Sequence, residues 1–200
     1  MNADGTGQEV QLTDNSVLDG TPTFSPDGQK IVFARNLGAG GGNELLLMNT
    51  DGTGYSVLKQ FIYPSYGTNT DGLIPSGGLI LSGGSLYGVT TYGGGSDNGT
   101  VFKINTNGTG FAVLKYFTAL NQFYGTNWDG AHPVGGLTLS GNTLYGTTSY
   151  GGMAHDGTVF RLNIDGSGFR VLAPLYYAIG SNPWGRLALS GDTLYGTTLH

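Results

Sequence analysis

Two short phrases recur along this chain, and their spacing restricts the fold more than any other feature. "MNADGTGQEV" begins at Met1 and returns as "MNTDGTGYSV" at Met48, "INTNGTGFAV" at Ile104 and "LNIDGSGFRV" at Leu162. The intervals are 47, 56 and 58 residues. "LSGGSLYGVT" from Leu81 returns as "LSGNTLYGTT" from Leu139 and "LSGDTLYGTT" from Leu189, with a more distant copy, "FSPDGQKIVF", from Phe24. A unit of about 50 residues, made of short apolar runs and glycine turns, does not enclose a core by itself and must stack on its neighbours.

Each full unit reads as four strands. The first gives Pro22–Ser25, Lys30–Arg35, Asn43–Asn49 and Tyr55–Gln60; the second gives Gly77–Ser82, Ser85–Tyr92, Gly99–Ile104 and Phe111–Tyr116. The third gives Gly135–Ser140, Leu144–Tyr150, Thr158–Ile164 and Phe169–Pro174. Asn-Gly and Asp-Gly between these runs supply the positive φ that tight hairpins need. With 38 glycines, 12% aromatic and only 10% charged residues, the chain suits strands rather than helices. Four antiparallel strands per unit are the pattern of a β-propeller blade. The expected fold is all-β, a propeller of about four blades in one domain over residues 1–200. Its repeats run near 1–47, 48–103 and 104–161, with a partial one at 162–200.

The two ends of the chain fall inside units. One strand, Gln8–Thr13, precedes the first full unit and matches the outermost strand of a blade. Two strands, Arg186–Ser190 and Thr193–Leu199, follow the third and match the innermost pair. The last blade is thus expected to be split between the termini and one strand short of closure. A vacant edge of this kind is avoided by proteins or used for pairing. Met1 aligns with Met48, in mid-unit, so the chain is expected to continue a longer polypeptide.

A formal charge of −5 without basic clusters argues against nucleic acid, which needs grouped Lys or Arg. With no cysteine there is no disulfide framework or thiolate chemistry. No apolar run approaches the roughly 20 residues of a membrane span. Metal and nucleophile motifs (H-E-x-x-H, G-x-S-x-G, the P-loop) are absent, and no cofactor is expected. His132, His155 and His200 read as exposed loop residues. Asp71, Asp97, Asp129 and Asp156 each precede Gly or Asn and read as turn formers, so no glycosidase pair is assigned. The N-x-D-G-[TS]-G loops at Asn49–Gly54 and Asn163–Gly168 lack the further ligands of a calcium loop and read as turns.

The segments joining one unit to the next are long and aromatic. They carry Phe61, Tyr63 and Tyr66; then Phe117, Phe123, Tyr124 and Trp128; then Tyr176, Tyr177 and Trp184. In a propeller they emerge on one face, where such rings either plug gaps between blades or bind a glycan or protein. Tyr63, Tyr66, Tyr124, Trp128, Tyr176 and Trp184 are the candidate ligand contacts. Asn98-Gly-Thr100 and Asn107-Gly-Thr109 are sequons, making Asn98 and Asn107 candidate glycan acceptors.

The passages "DGAHPVGGLTLSGNTLYGTTSYGGMAHDGTVFRLNIDG" (Asp129–Gly166) and "DGLIPSGGLILSGGSLYGVTTYGGGSDNGTVFKINTNG" (Asp71–Gly108) resemble the bacterial GloVer tandem repeat of choice-of-anchor and other secreted proteins. "PTFSPDGQKIVFAR" followed by "ELLLMNTDGTG" resembles the TolB-type propeller repeat. The resemblance implies a secreted or cell-surface bacterial protein and transfers no catalytic residue. The expected role is therefore a non-catalytic extracellular scaffold, self-assembling into a homo-oligomer or fibre by strand complementation through its terminal strands. The alternative is a carbohydrate-binding propeller using the aromatic face. An enzyme of glycosidase or lyase type would need two carboxylates converging at the ring's centre.

Overall fold

The computed structural model describes residues 11–38, 41–63 and 69–200. They form three four-stranded antiparallel sheets and one two-stranded sheet, each meandering in sequence order. Blade one holds β1 (Leu18–Phe24), β2 (Lys30–Asn36), β3 (Asn43–Asn49) and β4 (Ser56–Phe61). Blade two holds β5 (Leu73–Ser82), β6 (Ser85–Tyr92), β7 (Thr100–Asn105) and β8 (Ala112–Tyr116). Blade three holds β9 (Thr138–Ser140), β10 (Thr143–Thr148), β11 (Thr158–Asn163) and β12 (Arg170–Pro174). The last sheet pairs β13 (Ala188–Ser190) with β14 (Thr193–Tyr195). Three blades and the inner half of a fourth make this a β-propeller, as the repeats predict.

The turns carry the blade geometry. Gly83 and Gly84, at φ +56° and +77°, close the β5–β6 hairpin with the left-handed pair that a two-residue turn requires. In the β3–β4 turn, Asn49 Nδ2 donates to Thr53 Oγ1, while Thr53 N and Oγ1 donate to Asp51 Oδ1. Asn105, Asn107 and Thr109 repeat this arrangement, as do Asn163, Asp165 and Ser167. One carboxylate oxygen each of Asp51 and Asp165 is thus engaged within the turn itself, as a hairpin requires.

Successive blades pack face to face. Val32, Leu45, Leu58 and Phe61 of blade one meet Leu79, Leu86, Phe102 and Ile104 of blade two. Tyr87, Val89, Val101 and Phe117 then meet Leu137, Leu144, Phe160 and Leu162 of blade three. A size exchange tunes these faces. A Cβ on Gly88 would collide with Leu79 and Phe102, and one on Gly146 with Phe160 and Leu137. In blade one the same two positions are Phe33 and Leu46, so the larger side chain has moved from the third strand to the second. Interiors are packed to near-crystal density, so such positions vary in pairs.

Two details depart from the predicted strands. β5 begins at Leu73, ahead of the expected Gly77, because a register shift between Ser76 and Ile80 lets an extra segment pair with β6. The C-terminal pair is shorter than expected, although Ser181 N still donates to His200 O beyond β14. Of the predicted Gln8–Thr13 strand, residues 8–10 lie outside the described residues and 11–13 form no ladder. Leu12 nevertheless faces Gly52 as Leu58 faces Gly108 and Leu114 faces Gly166. It occupies the place of an outer strand of a preceding blade. The β13–β14 sheet has no third strand among the described residues. There Tyr195 is 57% exposed, whereas its blade-two equivalent Tyr87 is 5% exposed.

Candidate binding face

Antiparallel meandering puts the inter-blade segments and the second-to-third-strand loops on one face, and only tight hairpins on the other. The long-loop face divides its aromatics into two classes. Phe61 and Phe117 are buried between blades and fill the gaps there. Phe123, Tyr124 and Trp128 are 89%, 77% and 58% exposed, and Tyr63, Tyr176, Tyr177 and Trp184 are exposed as well. Tyr66 lies outside the described residues.

A second set of rings on this face crosses from blade two to blade three. Tyr92 and His132 have centroids 4.7 Å apart, His132 and Tyr150 5.7 Å, and Tyr150 and His155 5.8 Å. His132 Nδ1 lies 3.0 Å from Thr91 O, and His155 Nδ1 2.5 Å from Gly125 O in the loop that carries Tyr124. Loop position alone suggested exposed histidines; His132 is instead half-buried between two tyrosines. Trp128 stands apart from this ladder, edge-on to Phe169 at 5.6 Å.

The ladder begins at a repeated feature. Thr21, Ile74, His132 and Asn182 each precede a proline and each has a positive φ, between 49° and 56°. The left-handed region costs a non-glycine residue about 1–2 kcal/mol, and proline further restricts the residue before it. Thr21 and Ile74 lie within β1 and β5, His132 and Asn182 precede β9 and β13, and the prolines after the last two pack against the preceding blade. Pro133 Cδ lies where a Cβ on Gly99 would go, and Pro183 Cδ where one on Gly157 would go. Their side chains differ in every unit while the backbone does not. The recurring X-Pro dipeptide was available in the sequence; its strain was not.

The four aspartates are all engaged. Asp71 pairs with Lys59 at 2.5 Å, and the fully buried Asp129 pairs with Lys115 at 2.6 Å while also accepting from the Thr118 hydroxyl and amide. Lys115 Nζ sits 4.4 Å from the Phe169 centroid and 5.2 Å from that of Trp128, a cation held over aromatic faces. Asp97 Oδ1 accepts from Gly93 N and Asp156 Oδ2 from Tyr177 N. Asp71 and Asp129 are therefore ion-pair partners first and turn residues second. No cluster of three metal-ligating side chains occurs among the described residues. Asn98 is buried, its amide donating to Thr118 O, whereas Asn107 is exposed in the β7–β8 turn. No helix among the described residues is long and apolar enough to cross a membrane.

No protein-family model matches the chain, and no curated protein matches it. Among solved structures it is similar to a chain of the nidogen/laminin complex, with 18% identity, a TM-score of 0.61, and coverage of 97% of this chain and 61% of that one. It is also similar to a TolB from Agrobacterium tumefaciens, with 16% identity, a TM-score of 0.51, and coverage of 82% and 52%. The chain thus spans about three fifths and one half of these two structures. An exo-1,5-α-L-arabinanase from a bovine ruminal metagenomic library aligns at a TM-score of 0.41 and 11% identity. The first two show the propeller fold, TolB-like among others, and nothing finer.

Proposed function

We propose that this chain is a non-catalytic interaction scaffold, secreted or displayed at a bacterial surface, which binds a protein segment across the aromatic face of blades two and three. The observation that carries this reading is the ring ladder Tyr92–His132–Tyr150–His155, flanked by the exposed Phe123, Tyr124 and Trp128. Large rings with few rotatable bonds give contact area at low ordering cost. A structural neighbour that belongs to a nidogen/laminin complex supports a protein partner over a glycan. The GloVer-like phrases support surface display. All four aspartates considered for acid–base work are already engaged, which supports a role without catalysis.

The test is selection of a displayed random-peptide library on the immobilised protein, run beside a glycan array. Peptides enriched on the wild type and lost on Tyr92→Ala/Tyr150→Ala, with melting temperature retained, support the reading. Glycans bound in place of peptides transfer the face to the carbohydrate reading, and enrichment unchanged on the variant overturns it. A second element of the proposal is end-to-end association of copies, favoured by the bare Tyr195 face of β14 and by Leu12 lying in an outer-strand place. Sedimentation that stays monomeric at high concentration would remove that element.

A further inference from the structure

The β13–β14 hairpin repeats the inner half of a complete blade. Leu187, Leu194, Gly196 and Thr198 stand where blade three has Leu137, Leu144, Gly146 and Thr148, and where blade two has Leu79, Leu86, Gly88 and Thr90. Its placement is that of a complete blade as well. Ser181 N donates to His200 O as Ala131 N donates to Tyr150 O. A Cβ on Gly180 would meet Thr198 as one on Gly130 would meet Thr148 and one on Gly72 would meet Thr90. No described strand lies on the outer edge of β14.

The two complete junctions show what that edge is shaped to take. β7 lays Phe102 and Ile104 against blade one, β11 lays Phe160 and Leu162 against blade two, and all four side chains are fully buried. Each ring reaches over the glycine of the second strand, Phe102 over Gly88 and Phe160 over Gly146. Each also meets the ring that opens the inter-blade segment, Phe61 at 5.6 Å and Phe117 at 5.4 Å. At the third junction a cleft of about 360 Å³ opens in the corresponding place, between Thr147, Val159 and Leu175 of blade three and Leu187, Leu194 and Gly196 of the hairpin. A Cβ on Gly196 would meet Leu187 and no ring. Thr198 is exposed, whereas Thr90 and Thr148 are buried and paired with Thr100 and Thr158 at 2.8 and 2.9 Å.

We propose that the β14 edge is a binding site for an extended peptide segment of the pattern T-V-F-[K/R]-[I/L]-N, supplied by another polypeptide. β7 (TVFKIN) and β11 (TVFRLN) carry this pattern, and their pairing with β6 and β10 fixes the register. The segment runs antiparallel to β14, its threonine opposite Thr198, its phenylalanine opposite Gly196 and its asparagine opposite Thr193. Backbone pairing along β14 supplies the affinity, and the phenylalanine and the aliphatic residue two positions on enter the cleft and supply the specificity. Its basic residue lies opposite the exposed Tyr195, as Lys103 lies opposite Tyr87 and Arg161 opposite Tyr145. The inference rests on the reading of β14 as an interaction edge and not on the aromatic face of blades two and three.

Titration of the ¹⁵N-labelled protein with the synthetic peptide GTVFRLN, the sequence of residues 157–163, tests it at the amides of residues 193–198. Saturable shifts are expected there, with the peptide GTVARLN binding at least about tenfold more weakly because an aromatic side chain no longer leaves water for the cleft. Gly196→Val fills the slot for the ring and is expected to abolish the shifts; should that variant fail to fold, the peptide pair decides alone. Equal affinity for the two peptides, shifts confined to Trp128 and Tyr124, or no shift at millimolar peptide overturns the proposal. Sedimentation separates it from the end-to-end association of copies. Associated copies that leave the peptide unbound overturn the proposal and keep that element, whereas a monomeric chain that binds the peptide supports the proposal and removes that element.

Discussion

Hydrogen bonds within the hairpins hold three exposed carboxylates below the usual range. The Thr53 hydroxyl and amide hold Asp51 down, the Ser167 hydroxyl and amide hold Asp165, and Ser25 with the Gln29 amide holds Asp27. A lowered folded-state pKa means that the folded chain binds fewer protons than the unfolded one at a given acidity. Stability from these turns is therefore complete above the unfolded value near pH 4 and lost as pH falls through the folded values. Asp51→Asn/Asp165→Asn, copying Asn107, is expected to flatten the acid side of the urea-midpoint curve while leaving neutral pH nearly unchanged. Backbone strain gives a second expectation. Thr21 is exposed, β-branched and left-handed, whereas Asn tolerates that region. Thr21→Asn should raise stability by about 1 kcal/mol in the same assay. Burial separates two otherwise equivalent ion pairs. Asp129 has no exposed side chain and Asp71 is 43% exposed, so Lys115→Met should cost about 3 kcal/mol or more and Lys59→Met under about 1.

Within a blade, volume on one strand is set by its neighbour. Gly88→Ala should destabilise by roughly 1–3 kcal/mol through collision with Leu79 and Phe102, and Phe102→Leu should recover part of that loss in a double-mutant cycle. Additive effects in that cycle would refute the size exchange seen between Phe33–Leu46 and Gly88–Phe102. These elements were legible in the sequence because local chemistry sets them: Asn-Gly and Asp-Gly fix hairpins, and alternation fixes strand faces. The early start of β5 was not, since a bulge depends on what β6 offers across the gap. The Lys59–Asp71 and Lys115–Asp129 pairs were hidden as well. Each joins the outer strand of one blade to the entry of the next, a proximity created only by stacking. The candidate face was half legible. Its loops and rings were foreseen, but composition did not separate the buried Phe117 from the exposed Phe123 or place His132 between Tyr92 and Tyr150.

At the scale of the molecule, stability in a stacked array comes from each unit and its contacts with neighbours, so it need not be uniform. Blade two is packed on both faces; the β13–β14 pair has one exposed face. Hydrogen exchange should be slowest in β6, β7, β10 and β11 and fastest in β13 and β14, with protection of β14 rising if copies associate at that end. Uniform protection from β1 to β14 would mean that the end faces are covered in solution. The prolines ahead of β9 and β13 bear on recognition. Because Pro133 seats against Gly99 and Pro183 against Gly157, neighbouring blades are keyed at fixed angles, and the rings they carry keep fixed separations. A partner lying across two blades meets a ruler, not a hinge. Lengthening it by one residue, about 3.3 Å in extended chain, should dislodge one of its two anchors without drawing the blades apart to follow.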